Sequence, residues 1–360
     1  MFQQILEYTR QDYIPEEFPA LQTQIKCNLR TKPLAGLHIL DATPIFRNTT
    51  IKYASLIAAG AKLSISDFGG QLPSDPAIIK QMAAFGIEYL TTSALQNANF
   101  DLVLDCGGLH KNVKSRLGYC ELTRSGVYHY QNCNQPVFLA DSGRVKVIET
   151  ALGTGDGFCR AMRQLNFGSL AGRKFTVFGF GKVGLGITLR LLECGCRVTV
   201  VEAPDKLSAI QCCPAVSYLN KAEVNKTLAD SFCAVTATGR AGAAGNCADF
   251  EKFFDSPLLL ANMGVEDEFG PGVPAERVLN HKKTLNFILQ EPTQLKYIDP
   301  TMALHNLGAE LLRNGKLTPG IHEPESGQEE DIIRTITKYG SIGAEINKIN
   351  RIYGKNVLEE

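Results

Sequence analysis

Apolar runs of strand length alternate with stretches of helical periodicity over the first part of the chain. The predicted elements are a strand at residues 37–40, a helix ending at 58–60, a strand at 62–67, a turn at Gly69, Gly70 and Pro73, a helix at 77–85, and strands at 102–105 and 137–139. Strands that alternate with helices favour a parallel sheet covered by helices. We therefore expect an α/β fold.

The periodicity weakens between residues 109 and 135, and a connecting helix is expected after Asp141. Gly153, Gly155 and Gly157 would interrupt that helix, because glycine at alternate positions loosens the backbone. This segment predicts either a domain hinge or an ordinary flexible loop.

A second alternation begins at Phe175. Its predicted strands cover residues 175–178, 197–201, 232–236, 257–261 and 285–289, with helical stretches between them. Residues 301–314 predict a helix, and the acidic stretch 323–331 predicts a linker before a last helix around Ile333. Two alternations in 360 residues predict two domains.

A glycine-rich turn joins a strand to a helix at the start of the second alternation. The strand at 174–178 runs into Gly179-Phe180-Gly181-Lys182-Val183-Gly184, which matches G-x-G-x-x-G, and then into a helix at 185–192. In this motif the first glycine permits the tight turn, the second lets the backbone approach a pyrophosphate, and the third lets the helix pack on the strand. Lys182 and Val183 lie where free N–H groups face the phosphates. The segment predicts a Rossmann nucleotide-binding domain.

The next strand ends at Glu202, about twenty residues beyond the glycines, where an acidic side chain accepts hydrogen bonds from ribose. A 2′-phosphate would be repelled there, and Ala203-Pro204-Asp205 follows in place of an arginine. We therefore expect NAD, rather than NADP, as the cofactor.

Composition narrows the classes of partner. Lys plus Arg and Asp plus Glu each number 37, so no overall charge favours nucleic acid or an anionic membrane. No transmembrane span or signal peptide is predicted, the 11 cysteines form no C-x-x-C pair, and the 6 histidines show no metal-ligand spacing. We expect a cytoplasmic protein with reduced cysteines and no metal, acting on a small-molecule substrate.

The order of elements from Leu37 to Gly308 resembles the S-adenosylhomocysteine hydrolase family. The segments that carry the resemblance are residues 175–202, 235–239, 261–264, 104–108, 121–127 and 141–142. That family wraps a discontinuous substrate domain around a central NAD domain. On this pattern we expect a substrate domain at residues 1–148 and 299–325, an inserted Rossmann domain at 149–298 and a C-terminal helical tail at 326–360.

The resemblance also implies an activity and a set of cofactor contacts. In the family, bound NAD oxidises the 3′-hydroxyl of a nucleoside, so reversible hydride transfer and a homo-oligomer are implied. Carried over to this sequence, the contacts with NAD are the three glycines of the motif, Thr123, Thr150, Glu202, Thr238 with Gly239, and Asn262.

Several catalytic positions depart from the family pattern. Cys106 stands where the family has an aspartate, Leu122 where it has a glutamate, and Val265 where it has a histidine. Pro44 and Phe46 stand where it has the adenosine-binding histidine and threonine. Because each general acid or base contributes about 10²- to 10⁴-fold in rate, these departures predict a reaction other than ordinary hydrolysis of the homocysteine adduct.

The candidate acid/base residues are few. Lys146 and Glu149 match a family lysine and aspartate approximately, and their spacing of three places them on one face of a short helix. An exposed surface ion pair is the alternative. Asp105 at a strand end and His305 in the helix at 301–314 are further candidates, with structural roles as their alternatives. Cys106 could act as a nucleophile only with a lowered pKa.

Three functions remain open. The first is an NAD-dependent enzyme that oxidises a secondary alcohol. The second is a non-catalytic NAD-binding regulator that lost its acid/base groups. The third is a D-2-hydroxyacid dehydrogenase. Arg240 stands at a strand end where such an enzyme could have its arginine, but no set of arginine, glutamate and histidine follows the glycine motif in the expected order.

Overall fold

The computed structural model describes residues 1–67 and 74–353, without the side chains of 350–353. Gly69, Gly70 and Pro73 of the predicted turn, and residues 354–360 of the predicted tail, lie outside the described residues. The chain divides into two compact units. Unit 1 comprises Met1–Glu149 and the chain from Gln294 onward, and unit 2 comprises Thr150–Thr293.

The described residues of unit 1 form one parallel sheet. Its strands are β1 (His38–Asp41), β2 (Lys62–Ile65), β3 (Glu88–Tyr89), β4 (Asn99–Asp105), β5 (Lys114–Glu121), β6 (Pro136–Leu139) and β13 (Gly320–His322). They lie in the order β13-β6-β5-β4-β1-β2-β3, and each neighbouring pair is parallel. The carboxyl ends of these strands therefore meet at one edge of the sheet.

Helices cover this sheet. They are α1 (Phe2–Thr9), α2 (Pro19–Thr31), α3 (Thr50–Ala58), α4 (Pro76–Ala84), α5 (Thr92–Leu95), α6 (Arg124–Val127), α7 (Arg144–Ile148), α12 (Leu295–Arg313), α13 (Ser326–Tyr339) and α14 (Gly343–Tyr353). In α12 the buried carboxylate of Asp299 accepts hydrogen bonds from the amides of Ala20 (2.8 Å) and Leu21 (3.0 Å) at the start of α2. Asp299 thus supplies the cap that α2 lacks locally.

Unit 2 is a second parallel α/β layer. Its strands are β7 (Lys174–Phe178), β8 (Arg197–Glu202), β9 (Ala215–Ser217), β10 (Cys233–Thr236), β11 (Leu259–Asn262) and β12 (Val278–Leu279). Its helices are α8 (Thr154–Gln164), α9 (Lys182–Glu193), α10 (Lys221–Ala229) and α11 (Ala243–Cys247). The strand order is β12-β11-β10-β7-β8-β9. The order reverses beside β7, where doubly wound sheets bind ligands outside the carboxyl ends of their strands.

Short 3₁₀ helices complete the described elements of both units. They are Pro15–Glu17, Arg47–Thr49, Tyr128–Tyr130, Pro204–Ala209, Phe250–Phe253, Ala275–Arg277, Asn280–Lys282 and Leu285–Ile288.

The core of unit 2 follows the alternation of side chains along β7. Phe175 and Val177 pack in one cluster with Ile187 and Leu191 of α9, whereas Phe178 belongs to a second cluster. All five side chains are almost fully buried. Because each such side chain contributes about 1.5–3 kcal/mol on burial, the first cluster fixes α9 against β7.

The predicted interruption of the helix at Gly153, Gly155 and Gly157 is wrong. A π-helix, Glu149–Gly153, is followed directly by α8. A Cβ atom on Gly155 would overlap the carbonyl of Gly186 in α9, and one on Gly157 would lie 2.6 Å from the carbonyl oxygen of Pro292. Gly155 and Gly157 therefore serve close packing of α8 within unit 2.

Two further predictions of secondary structure are wrong. Residues 285–289 form no strand, because Leu285–Ile288 is a 3₁₀ helix. The stretch 323–331 is not a linker, because α13 begins at Ser326. Its buried residues are Glu329, Ile333 and Ile336, which share one helical face, so the acidic residues around them form the solvated face.

Candidate functional site

Three buried carboxylates lie at the carboxyl edge of the sheet in unit 1. Asp41, Asp105 and Glu121 are the last residues of β1, β4 and β5, and all three are fully buried. Since these strands are parallel neighbours, their ends are adjacent. This edge is where parallel sheets present groups for ligand binding.

Asp105 is surrounded by hydrogen-bond donors. Its carboxylate accepts from the amides of Cys106 (2.8 Å) and His110 (3.0 Å), from Nδ1 of His110 (3.0 Å) and from the hydroxyl of Tyr130 (2.6 Å). These four hydrogen bonds occupy the four acceptor positions of a carboxylate. The geometry is that of a residue that organises the turn after β4.

Glu121 holds the same turn from the next strand. Its carboxylate accepts from the amides of Gly107 (2.8 Å) and Gly108 (3.0 Å) and from the hydroxyl of Thr123 (2.6 Å). Both glycines have positive φ, as the tight turn requires. Burial, followed by the charge of Asp105, raises the pKa of Glu121. Sequence reasoning missed Glu121 as a site residue, although it opens the segment 121–127.

Lys146 and Glu149 form an ion pair next to this edge. Nζ of Lys146 lies 3.0 Å from Oε1 and 3.1 Å from Oε2 of Glu149, and both side chains are more than four-fifths buried. Burial acts to lower the pKa of Lys146, but Glu149 and then Asp141 outweigh it, so that the pKa is raised. The pair is a partly buried, charged group rather than an exposed surface ion pair.

Cys106 is buried beside these carboxylates. Burial raises its pKa well above the ordinary value, and the charges of Glu121 and Asp105 raise it further. The thiol is therefore protonated at neutral pH, which removes the condition under which Cys106 could act as a nucleophile.

A second buried group surrounds His305 of α12. Nε2 of His305 lies 2.9 Å from the carbonyl oxygen of Cys120, while Nδ1 has no hydrogen-bond partner among the described residues. Burial, and then the charge of Lys52, lowers the pKa of His305 to about 3. Lys52 is fully buried and paired with Asp41. Sequence reasoning missed this Asp41–Lys52 pair.

In unit 2 the glycine-rich turn joins β7 to α9. Gly179 has φ +93°, and a Cβ atom there would lie 2.5 Å from the carbonyl oxygen of Ala237. A Cβ atom on Gly184 would overlap the carbonyl of Gly179, whereas Gly181 has no neighbouring atom within 4 Å of that position. Two glycines are thus required by packing, and the third leaves open space at the N-terminus of a 12-residue helix.

Glu202 stands at the end of the neighbouring strand β8. Its Oε2 accepts from the amide of Phe180 (2.7 Å), and its Oε1 accepts from the amide of Ala203 (2.7 Å). The side chain is half-buried, so each oxygen keeps a lone pair for a further donor.

The loops after β10 and β11 are joined by Glu268. This buried carboxylate accepts from the amides of Thr238 and Gly239, at 2.7 Å each. Those two amides are therefore already hydrogen-bonded within unit 2. A ligand would contact the exposed surface of the turn after β10 instead.

Asn262 at the end of β11 is also engaged within unit 2. Its Oδ1 accepts from the hydroxyl of Thr236 (2.9 Å), and its Nδ2 donates to the carbonyls of Glu266 (2.8 Å) and Lys282 (2.6 Å). The side chain is fully buried. This arrangement shapes the loop after β11.

The structure brings the predicted residues together in two groups. In unit 1, Asp105, Thr123, Lys146 and Glu149 lie around the carboxyl edge of the sheet, and His305 contacts the carbonyl of Cys120 on β5. In unit 2 the cofactor candidates follow the ends of adjacent strands. They are Gly179, Gly181, Lys182, Val183 and Gly184 after β7, Glu202 on β8, Thr238 and Gly239 after β10, and Asn262 on β11. Thr150 lies in the π-helix before α8.

These features define an α/β protein with a nucleotide-binding unit of Rossmann type. Residues 167–249 match a family model described as "Putative NAD(P)-binding". The model covers β7 to β10, the part of unit 2 that contains the glycine-rich turn and Glu202. No helix in the described part of the chain has the length and apolar character needed to span a bilayer.

The chain resembles adenosylhomocysteinases. It is 27% identical to S-inosyl-L-homocysteine hydrolase of Methanosarcina mazei, over 65% of this chain and 63% of that protein. It is 28% identical to adenosylhomocysteinase of Sulfolobus acidocaldarius, over 68% of this chain and 64% of that protein. The matches thus span less than two thirds of the length of these relatives. The predicted resemblance is confirmed.

Among solved structures, a dipicolinate synthase chain from Bacillus halodurans shares the fold. The TM-score is 0.52 at 14% identity, over 78% of this chain and 98% of that chain. At this identity the likeness shows the fold alone, and the predicted α/β fold is confirmed.

Proposed function

We propose that the protein is an NAD-dependent enzyme that transfers hydride reversibly at a secondary alcohol of a small substrate, with a nucleoside ribose as the first candidate. The observation that carries this proposal is the partly buried Lys146–Glu149 ion pair beside the carboxyl edge of the sheet in unit 1. A charged pair held there is suited to proton transfer with a hydroxyl group. The resemblance to adenosylhomocysteinases supports the same chemistry.

Unit 2 fits a dinucleotide. Gly181 leaves open space in front of the first amides of α9, and Glu202 keeps acceptor capacity at the end of β8. An anion is favoured at a helix N-terminus, and the Glu202 carboxylate disfavours a 2′-phosphate, so we assign NAD rather than NADP. The residues of unit 2 assigned to the cofactor are Gly179, Gly181, Lys182, Val183, Gly184, Glu202, Thr238, Gly239, Asn262 and Thr150. Thr123, which the resemblance also implies, belongs to unit 1. Of these, Asn262 and Thr123 would act by shaping loops, because their side chains are already hydrogen-bonded.

Lys146 and Glu149 take different roles in this chemistry. The raised pKa of Lys146 keeps it protonated, so it stabilises negative charge on the substrate oxygen. Glu149 accepts the hydroxyl proton as the alkoxide forms, and the carbinol carbon gives up its hydride. Bound NAD supplies the hydride acceptor. In the reverse direction Glu149 returns the proton to the oxygen.

Asp105 and His305 act around this pair rather than on the substrate. Asp105 is buried among four donors and orients the turn after β4. His305 is neutral and fully buried. We therefore assign both a structural role.

A second candidate is a non-catalytic NAD-binding regulator. Cys106 and Leu122 stand at two positions where the family has acidic residues. The thiol of Cys106, whose pKa is raised, and the buried apolar side chain of Leu122 exchange no proton at neutral pH. This observation favours loss of catalysis, while the Lys146–Glu149 pair favours its retention.

Turnover with a panel of secondary alcohols separates the two functions. Purified protein is incubated with NAD and ribonucleosides, 2-hydroxy acids or simple alcohols, and the absorbance of reduced nicotinamide is followed. Reduction of NAD in the presence of a nucleoside supports the proposal. Bound NAD with no reduction by any alcohol of the panel would favour the regulator, and reduction with 2-hydroxy acids alone would favour a dehydrogenase that uses Arg240.

A further inference from the structure

The C-terminal helix α13 reaches the helix that carries the Lys146–Glu149 pair. Glu329, on the first turn of α13, is buried, and its Oε1 accepts a hydrogen bond of 2.9 Å from the amide of Val145. Val145 is the second residue of α7 and the residue directly before Lys146. One hydrogen bond thus connects α13 to the backbone next to the proposed catalytic lysine.

Glu329 acts as a cap supplied from a distant part of the chain. The N-cap position of α7 is Gly143, which has no side chain to cap the helix. A Cβ atom there would overlap the carboxylate of Glu329, so the glycine leaves the space that this carboxylate fills. Helix N-termini favour a negatively charged acceptor, which satisfies an amide that would otherwise be unpaired.

The place of this cap, at the start of α7, makes it relevant to chemistry. Val145 and Lys146 are the second and third residues of α7, so they belong to its first turn. A change in the position of that turn moves the Lys146 ammonium relative to Glu149, 3.0 Å away. Because misplacement of an acid/base group by about 1 Å costs up to about 10²-fold in rate, a buried cap at this point controls the geometry of the pair.

We propose that Glu329 is a positioning residue for the Lys146–Glu149 pair. Helix α13 then helps to fix the position of the proposed catalytic lysine in unit 1. The inference rests on the proposed function for its catalytic consequence. Its structural consequence, the fixed position of Lys146, is measurable without turnover.

The neighbouring residue provides a matched control. Glu330 pairs with Arg144 at 3.6 Å, but its side chain is 55% exposed, and the amide of Val145 is bonded to Glu329 instead. A change at Glu330 therefore removes a carboxylate one residue away without removing the cap.

The experiment compares Glu329→Ala, Glu329→Gln and Glu330→Ala in the full chain. Each protein is treated with a limiting amount of an amine-reactive ester, and peptide mass spectrometry gives the labelling rate of Lys146 relative to the exposed Lys252. We expect Glu329→Ala to raise the Lys146 rate about fivefold, because an uncapped first turn opens more often. Glu329→Gln keeps an acceptor oxygen and should stay near the wild-type rate, as should Glu330→Ala.

Kinetics supply the second readout. With a substrate found in the panel, Glu329→Ala should lower kcat about tenfold with the Kd for NAD unchanged, and Glu329→Gln should restore most of the loss. Equal Lys146 labelling in Glu329→Ala and Glu330→Ala would overturn the inference. The inference would also be overturned if Lys146 were labelled as fast in Glu329→Gln as in Glu329→Ala. Absence of turnover in the wild type would contradict the proposed function, while the labelling rates still decide the role of Glu329.

Discussion

The backbone amide of Phe180 donates a hydrogen bond of 2.7 Å to Oε2 of Glu202. This bond ties the glycine-rich turn after β7 to the end of β8. It fixes a carboxylate beside the open space in front of α9, at a point where parallel sheets bind nucleotides. The charge of Glu202 therefore bears on which dinucleotide the unit accepts.

Replacing this charge should relax the choice of cofactor. In Glu202→Gln the amide side chain keeps an acceptor for Phe180 but no longer repels a 2′-phosphate. We expect the ratio of the Kd for NADP to the Kd for NAD to fall about tenfold, as measured by calorimetry. Glu251→Gln, at an exposed residue of the same unit, is the control. A wild-type protein that prefers NADP would contradict the assignment of NAD.

Removal of either member of the ion pair should abolish most of the chemistry. We expect Glu149→Gln and Lys146→Met each to lower kcat about 10²- to 10⁴-fold, because one loses the proton acceptor and the other the charge that stabilises the alkoxide. The Kd for NAD, measured in parallel, should change little. Asp331→Asn breaks an exposed pair of the same spacing, Arg334 with Asp331, and should leave kcat unchanged. Similar kcat values for all three variants would refute the assignment.

The packing of the glycine-rich turn predicts a loss of stability. In Gly184→Ala the new methyl group would overlap the backbone carbonyl of Gly179, which cannot rotate away as a side chain could. We expect the free energy of unfolding, from urea titration, to fall by about 1–3 kcal/mol, and NAD binding to weaken. Gly272→Ala, where the added atom meets nothing within 4 Å, serves as the matched substitution and should retain wild-type stability.

The buried His305 predicts a dependence of stability on pH. Its pKa is lowered from 6.5 to about 3 in the folded protein. The neutral imidazole therefore contributes to the free energy of unfolding in full above pH 6.5, and this contribution is lost as the pH falls toward 3. Between pH 6.5 and 3 the free energy of unfolding of the wild type should fall by up to about 1.4 kcal/mol per pH unit more than that of His305→Gln. Urea titrations across the pH range measure both slopes. The control is His129→Gln, at an exposed histidine; a slope unchanged in His305→Gln would show that His305 is protonated in the fold.

Local sequence patterns predicted most of the fold correctly. The run from Lys174 to Glu202 contains a strand, a helix and their glycine turn within a few residues, and such short-range patterns determine local structure. The strand β5 was missed because Lys114, Arg116 and Gly118 interrupt its apolar residues. Its identity depends on pairing with β4 and β6, which the sequence alone does not display.

The site was less predictable than the fold. Lys146 and Glu149 were predicted as a pair because they are three residues apart and approximate a lysine and an aspartate of the family, but the partners that hold their surroundings are distant in sequence. Glu121 binds the turn at Gly107, and Glu329 caps a helix that lies 184 residues earlier in the chain. Acidic residues in a polar stretch normally indicate a solvated surface, so only the packing of α13 shows that Glu329 is buried.

The identity of the nucleotide that the protein carries tests the central claim most directly. Native mass spectrometry of the protein as purified, followed by denaturation and analysis of the released small molecules, gives that identity. We predict NAD or NADH, lost in Gly181→Asp, which places a negative charge in the open space before α9, and retained in Gly272→Asp. A protein that carries no nucleotide and also fails to bind added NAD would contradict the account.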